Sequence, residues 1–439
     1  MGYRENHIDI ISMGCSKNLI DSERLIRRLN AKGYTVSHNP EEPSGEYVMV
    51  NTCGFIGDAK EESINLLLEL SRFKDDRKIG KIAAMGCLTE RYLSDLKAEM
   101  PEIDLVYGKF DWDKFADDLP DLKHSERPAE WDRELTTPPY SAYIKISEGC
   151  NRFCAFCAIP LITGRHKSRP EEEILEEVRV LARKGVREFN VIAQDLSSYG
   201  LDLYKEHRLA DLIDRMADIK GVEWIRLHYA YPADFPMELL DVVARRDNVC
   251  NYLDIALQHI SDSQLKRMRR RIGKEDTLKL LAEIRDRVPG IRLRTTLMVG
   301  FPGETEEDFE ELMDFVRTQK FDRMGAFAYS EEDDTYAATN YDDDVPEEVK
   351  QDRLDRLMAL QEHISEELNE KQIGSKVRLL VEEYEGDTAI CRSEWDSPEV
   401  DLSYRVTGTQ AAPGDFIEAI VTEAMPFDFI AEACENRNK

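Results

Sequence analysis

The chain has 439 residues, enough for two or three domains with sizeable cores, and an apolar fraction of 42% that excludes wholesale disorder. Its 59 Lys and Arg stand against 88 Asp and Glu, a net charge of −29 that disfavours holding nucleic acid by backbone neutralisation and suits a basic partner. No run of eighteen apolar residues occurs and the first residues lack a signal-peptide pattern, so a cytoplasmic protein with no membrane association is expected.

Up to about residue 118, strand-like runs at 7–13, 47–51, 79–85 and 103–106 alternate with helical patterns at 18–32, 59–73 and 90–99. Gly33 reads as the stop of the first helix. This βαβα rhythm predicts a parallel sheet covered by helices. Residues 119–139, polar and proline-rich, read as a linker. Six further strand-like runs follow at 140–147, 188–193, 223–228, 252–257, 292–299 and 323–328, the rhythm of an open or partial α/β barrel. The acidic stretch 331–348 reads as a solvated loop, and Pro346 opens a helix reaching Glu370. From Lys376 short runs at 377–381, 389–392 and 416–422 predict an all-β module of barrel size.

The cysteines carry the chemistry. Nine is an odd count for a disulfide framework in a chain of this kind and argues for metal or redox use. Cys150, Cys154 and Cys157 form a CxxxCxxC run after a strand. Three thiolates at that spacing suit three irons of a 4Fe-4S cluster and leave the fourth iron open, whereas electron-carrying clusters take four cysteines. Zinc sites show paired CxxC motifs, and no second CxxC is present. Cys15, Cys53 and Cys87 each follow a strand of the first segment, at the carboxyl ends where α/β sheets build ligand sites. Each neighbours a glycine (Gly14, Gly54, Gly86), which would let backbone approach a bulky inorganic group. Cys250, Cys391 and Cys434 read as small buried apolar residues.

Gly300-Phe-Pro-Gly-Glu304 is a glycine-rich turn between strand and helix, open to two readings: an ordinary tight turn, or backbone brought against a cofactor. Lys266–Arg271 is the densest basic run and reads mainly as a solvated helix end with one functional arginine. No Walker loop, GxSxG or HExxH is present, and no conventional catalytic acid or base is assigned.

The CxxxCxxC run resembles the signature of radical S-adenosylmethionine (SAM) enzymes. Together with Ile11-Ser-Met-Gly-Cys-Ser-Lys-Asn-Leu-Ile-Asp-Ser-Glu23 and Val50-Asn-Thr-Cys-Gly-Phe-Ile56, it makes essentially the whole chain similar to the methylthiotransferases. Gln194-Asp195 is similar to the RimO type, which modifies an aspartate of ribosomal protein S12; tRNA-modifying relatives usually carry Gln-Asn there. The chain departs from family habit at Ala256 and Thr163, neither of them a ligand. The resemblance implies an N-terminal methylthiotransferase domain with a parallel α/β sheet (6–122), a partial (β/α)6 barrel radical SAM core (136–370) and a C-terminal all-β TRAM barrel (372–438). It implies two 4Fe-4S clusters, the auxiliary one on Cys15, Cys53 and Cys87 and the SAM-binding one on Cys150, Cys154 and Cys157. Phe156, Gln194, Gly300 and Pro302 become candidate SAM contacts. The expected partners are S12 or the small ribosomal subunit and an external electron donor such as flavodoxin or ferredoxin. The rival reading is a tRNA adenosine methylthiotransferase. Residues 372–439 hold six Lys and Arg against fourteen Asp and Glu, a balance that suits a basic ribosomal protein better than tRNA phosphate.

Overall fold

A computed structural model describes residues 2–434 of the chain. The first sheet contains β1 (Arg4–Ser12), β2 (Thr35–His38), β3 (Gly45–Thr52), β4 (Lys81–Gly86) and β5 (Leu105–Val106), all parallel, in the order β2-β1-β3-β4-β5. Alternate residues face opposite layers. Ile8, Ile10, Met49 and Ala83 pack with Leu25 and Leu29 of helix Ser16–Lys32, while Val48, Val50, Ile82 and Ala84 pack with Leu67 and Leu70 of helix Gly57–Asp75. Burial on both faces explains why these strands read as apolar runs. Gly33 ends the first helix at φ 101°, donating its N–H back to the carbonyls of Asn30 and Leu29. The edge strand β2 and helix Trp112–Asp118 carry no strong periodic signal, and the helix expected at 90–99 is two, Cys87–Arg91 and Leu93–Glu99, broken at Tyr92.

The second unit begins with β6 (Ser141–Lys145) and a short antiparallel pair, β7 (Ser147–Glu148) and β8 (Lys167–Ser168). It continues through β9 (Glu188–Ile192), β10 (Trp224–Ala230), β11 (Val249–Ile255), β12 (Arg292–Val299) and β13 (Arg323–Ala328). Six parallel strands run in the order β13-β12-β11-β10-β9-β6, with β6 and β13 at opposite edges, as in a partial (β/α)6 barrel. The third unit is a closed barrel of β14 (Lys376–Glu385), β15 (Thr388–Ser393), β16 (Ser403–Thr407), β17 (Phe416–Ala424) and β18 (Asp428–Ala433), filled by Leu379, Cys391, Tyr404 and Phe429. Residues 435–438 of the expected module lie outside the described residues.

This small barrel docks where the core strands begin. Glu188, first in β9, accepts both Nη atoms of Arg392 at 2.7 Å; Arg323, first in β13, meets Asp396 at 2.7 Å; and the Trp224 ring, first in β10, lies 4.8 Å from that of Phe416. The opposite, carboxyl ends of the core strands are left for the N-terminal domain and the cysteines. Asp396, Asp401 and Glu382 all pair with arginines at this contact, so part of the module's acidity neutralises internal cations instead of facing a partner.

The stretch read as a solvated loop and the stretch read as a linker are both domain contacts. Within 331–348, Glu332 is buried and takes Lys60 at 2.8 Å and Arg91 at 3.0 Å, two cations of the N-terminal domain, and Tyr336–Asn340 is helical. Within 119–139, Arg133 is buried between Glu23 of the first helix and Glu177 of the core. Charge pairing across domains leaves no apolar signature in a sequence. Cys250 and Cys391 are buried as expected, but Cys434 is only partly covered at the end of β18.

Candidate functional site

Cys15 caps the first helix after β1, Cys53 follows β3, and Cys87 opens a helix directly after β4. Parallel pairing of β1, β3 and β4 therefore brings the three to one edge. The glycines beside them differ in purpose. A Cβ on Gly14 (φ 81°) would stand 2.7 Å from Cys53 Sγ, so Gly14 lets the Cys53 side chain approach the backbone beside Cys15. Cβ atoms on Gly54 and Gly86 would instead strike the backbone of Leu88 and of Thr52, so those two answer chain crowding. Burial, with Cys15 and Cys53 close by, pushes the Cys87 thiol up to about 12 even though Lys109 opposes the shift; its Sγ donates to Asn18 Oδ1 at 3.4 Å.

Cys150, Cys154 and Cys157 lie on the loop after β7, at the carboxyl side of the core sheet. Phe153 within it has φ 52°, a left-handed conformation for a bulky residue. Arg152 fixes the loop: its guanidinium donates to Asp195 at 2.7 Å and Asp234 at 2.9 Å and lies over the Tyr231 ring, 4.3 Å from the centroid. Asp195 of the Gln194-Asp195 pair is thus an anchor for the cysteine loop. Burial pushes the Cys150 thiol up to about 12 and raises that of Cys157 as well. Thiols so shifted stay protonated near neutrality until a bound metal supplies positive charge. In the basic run, Arg270 is the buried member: its Nη1 lies 3.3 Å from Cys154 Sγ, and its Nη2 donates to the Ala256 carbonyl.

Phe156 packs edge-on against Phe301, centroids 6.3 Å apart, which ties the cysteine loop to the 300–304 turn. In that turn the face left open by Gly300 (φ 72°) is covered by Lys350, the Pro302 carbonyl accepts Arg267 Nε at 2.8 Å, and buried Glu304 gathers Gly300 N at 2.6 Å, His259 at 3.0 Å and Arg353 at 2.7 Å. Gln194 donates to Glu148, while its Oε1 is buried without a partner, as is that of Gln258.

The two cysteine sets meet at one domain contact. Cys87 packs on Ala158 and Ile162, the residues immediately after Cys157 and within helix Ile159–Thr163. Beside them runs a buried chain of charges: Lys109 to Asp21 at 2.9 Å, Asp21 to Lys145 at 2.6 Å, Lys145 to Glu148 at 2.8 Å. Burial alone would raise the Asp21 carboxyl; Lys109 and Lys145 outweigh it and hold Asp21 well below the usual range. The sequence assigns none of these four a role: Asp21 falls within the Ile11–Glu23 segment without standing out, and Lys145, ending a strand, has no periodic signature. Asp195 and Arg270 likewise belong to the Gln194-Asp195 pair and the basic run, but their roles depend on contacts distant in sequence.

The partial barrel with its three-cysteine loop defines a radical SAM protein. The Radical SAM superfamily matches residues 144–316, an uncharacterized protein family (UPF0004) matches 7–108, and the TRAM domain matches 373–434. Such a core implies an iron–sulfur cluster and SAM. The fold is shared with the radical SAM methyltransferase TsrM from Kitasatospora setae (TM-score 0.56, 15% identity, 76% of this chain and 74% of that one). It is also shared with the radical enzyme OxsB (TM-score 0.52, 14% identity, 81% and 56%). Relatives named ribosomal protein uS12 methylthiotransferase RimO are 57% identical in Bacteroides thetaiotaomicron (98% of both chains), 57% in Porphyromonas gingivalis (98% and 99%) and 46% in Flavobacterium johnsoniae (98% of both). The chain belongs to this RimO family of methylthiotransferases. Among the described residues no helix is long and apolar enough to cross a membrane.

Proposed function

We propose that this enzyme adds a methylthio group to Cβ of an aspartate of ribosomal protein uS12, using two 4Fe-4S clusters. Cys150, Cys154 and Cys157 would hold the cluster that binds SAM, and Cys15, Cys53 and Cys87 the auxiliary one. The observation that carries this reading is the packing of Cys87 against Ala158 and Ile162, beside Cys157, which supports bringing the two sets together between the proposed domains 6–122 and 136–370. The barrel of β14–β18, in the proposed domain 372–438, docks at the opposite end of the core.

The donor sets support clusters better than single ions. A tetrahedral zinc site needs sulfurs roughly 3.8 Å apart. Among the described residues no three donors converge on one ion-sized point, and Gly14, lacking a Cβ, lets the Cys53 side chain lie close to the backbone beside Cys15. When bound, the clusters and SAM would supply a deoxyadenosyl radical and the methylthio group. The chain's own residues orient and exclude water. Arg152 and Asp195 fix the cysteine loop, and Arg270 offers an N–H to Cys154, sharing the negative charge of a ligating thiolate. Gln194, with its unpartnered buried Oε1, is the best supported SAM contact; Phe156, Gly300 and Pro302 would be further contacts, Phe156 meeting the 300–304 turn at Phe301 while Lys350 covers the open face of Gly300. Electrons would come from an external donor such as flavodoxin or ferredoxin.

The test is the intact mass of uS12 from cells with and without this protein. The reading requires the methylthio increment only in cells that carry it; unmodified uS12 alongside a newly methylthiolated tRNA adenosine would reassign the substrate.

A further inference from the structure

Lys17 stands two residues after Cys15, in the first turn of helix Ser16–Lys32, where no acidic residue accompanies it. A cation there opposes the helix dipole, so the helix gains nothing from this charge. Its ammonium lies 3.4 Å from the centroid of the Tyr229 ring. Among the described residues no carboxylate forms an ion pair with it. Lys109 and Lys145, in the same domain contact, both pair with Asp21. Asp254, the carboxylate whose charge it feels, is committed to the Tyr229 N–H at 3.3 Å and to Arg294.

Tyr229 is placed with equal peculiarity. It sits near the carboxyl end of β10 in a left-handed conformation (φ 67°) and remains 39% exposed. Two residues on, the Tyr231 hydroxyl lies 3.9 Å from Cys154 Sγ. The Lys17–Tyr229 contact therefore spans from one cysteine set to the other.

A positive group at this point does not serve to attract a basic protein, since the surrounding chain carries −29. It serves a local anion. Resting on the function proposed above, we infer that Lys17 is the specificity residue that receives the side-chain carboxylate of the acceptor aspartate and so presents its Cβ between the two cysteine sets. Tyr229 holds the ammonium in place until the carboxylate arrives.

Binding tests this without relying on turnover. Reconstituted holoenzyme is titrated with two fluorescent uS12 loop peptides, one with the target aspartate and one with asparagine in its place. Wild type is expected to prefer the aspartate peptide about tenfold or more, the worth of one charge-assisted hydrogen bond. Lys17→Met, checked for wild-type iron content, should bind both peptides within about twofold of each other, and Lys17→Arg should keep part of the preference. A Lys17→Met enzyme that keeps the full preference overturns the assignment, as does one that loses SAM affinity instead, since the anion would then be the cofactor's. Wild type that binds neither peptide and leaves uS12 unmodified overturns the functional reading itself, an outcome distinct from the other two.

Discussion

Glu188→Gln removes one negative charge from the contact between core and small barrel and barely changes side-chain volume. The carboxylate is fully buried and accepts two bonds from Arg392 at 2.7 Å, one from Arg226 at 3.1 Å and one from Ser141 at 2.7 Å. Breaking a buried ion pair by removing one partner costs about 3–5 kcal/mol, because the other charge stays buried. Arg392 keeps Glu382 at 3.0 Å and Arg226 keeps two backbone carbonyls, so the lower end, about 3 kcal/mol, is expected here. Hydrogen exchange in β15 is the suitable assay, since a multidomain chain need not unfold in two states. About 3 kcal/mol corresponds to roughly a hundredfold loss of protection. The pH dependence has a definite sign. Burial would raise the Glu188 carboxyl, but Arg392 and Arg226 outweigh it and hold it well below the usual carboxylate range. A depressed carboxylate stabilises above its unfolded value of about 4.3 and loses that contribution as the pH falls further. Barrel protection should thus decline with acid below about pH 4 in the wild type and more shallowly in the variant. Protection unchanged within twofold at neutral pH would refute the reasoning.

Replacing Cys15, Cys53 and Cys87 together with Ala should reduce iron after anaerobic reconstitution from about eight to about four per chain. SAM cleavage should persist while methylthio insertion disappears, as read by iron analysis and by deoxyadenosine and product mass. Gly14→Ala should lower auxiliary-cluster occupancy without unfolding the sheet, because the new methyl would stand 2.7 Å from Cys53 Sγ; iron content and far-UV circular dichroism separate the two effects.

The central strands of both sheets are legible because they are buried on both faces, and the runs at 292–299 and 323–328 match β12 and β13 end to end, whereas the exposed edge strand β2 leaves no such signal. The six cysteines stood out by spacing and by position after strands. What stayed hidden is polar and long-range. Glu332 looked like one more acid in a charged loop until Lys60 and Arg91 faced it, and Arg133 looked like a linker residue until Glu23 and Glu177 enclosed it. The 300–304 turn was read through its glycines, yet its hub is Glu304, whose three partners come from three separate segments. Periodicity reports burial of apolar faces and is silent on buried ion pairs.

The most direct test of the central claim uses uS12 carrying deuterium at Cβ of the target aspartate, incubated with the reconstituted, reduced enzyme and SAM. Deuterium should appear in deoxyadenosine, and the same carbon should carry the methylthio group. The Cys154→Ala variant should give neither. A methylthiolated uS12 with no deuterium in deoxyadenosine would contradict the account.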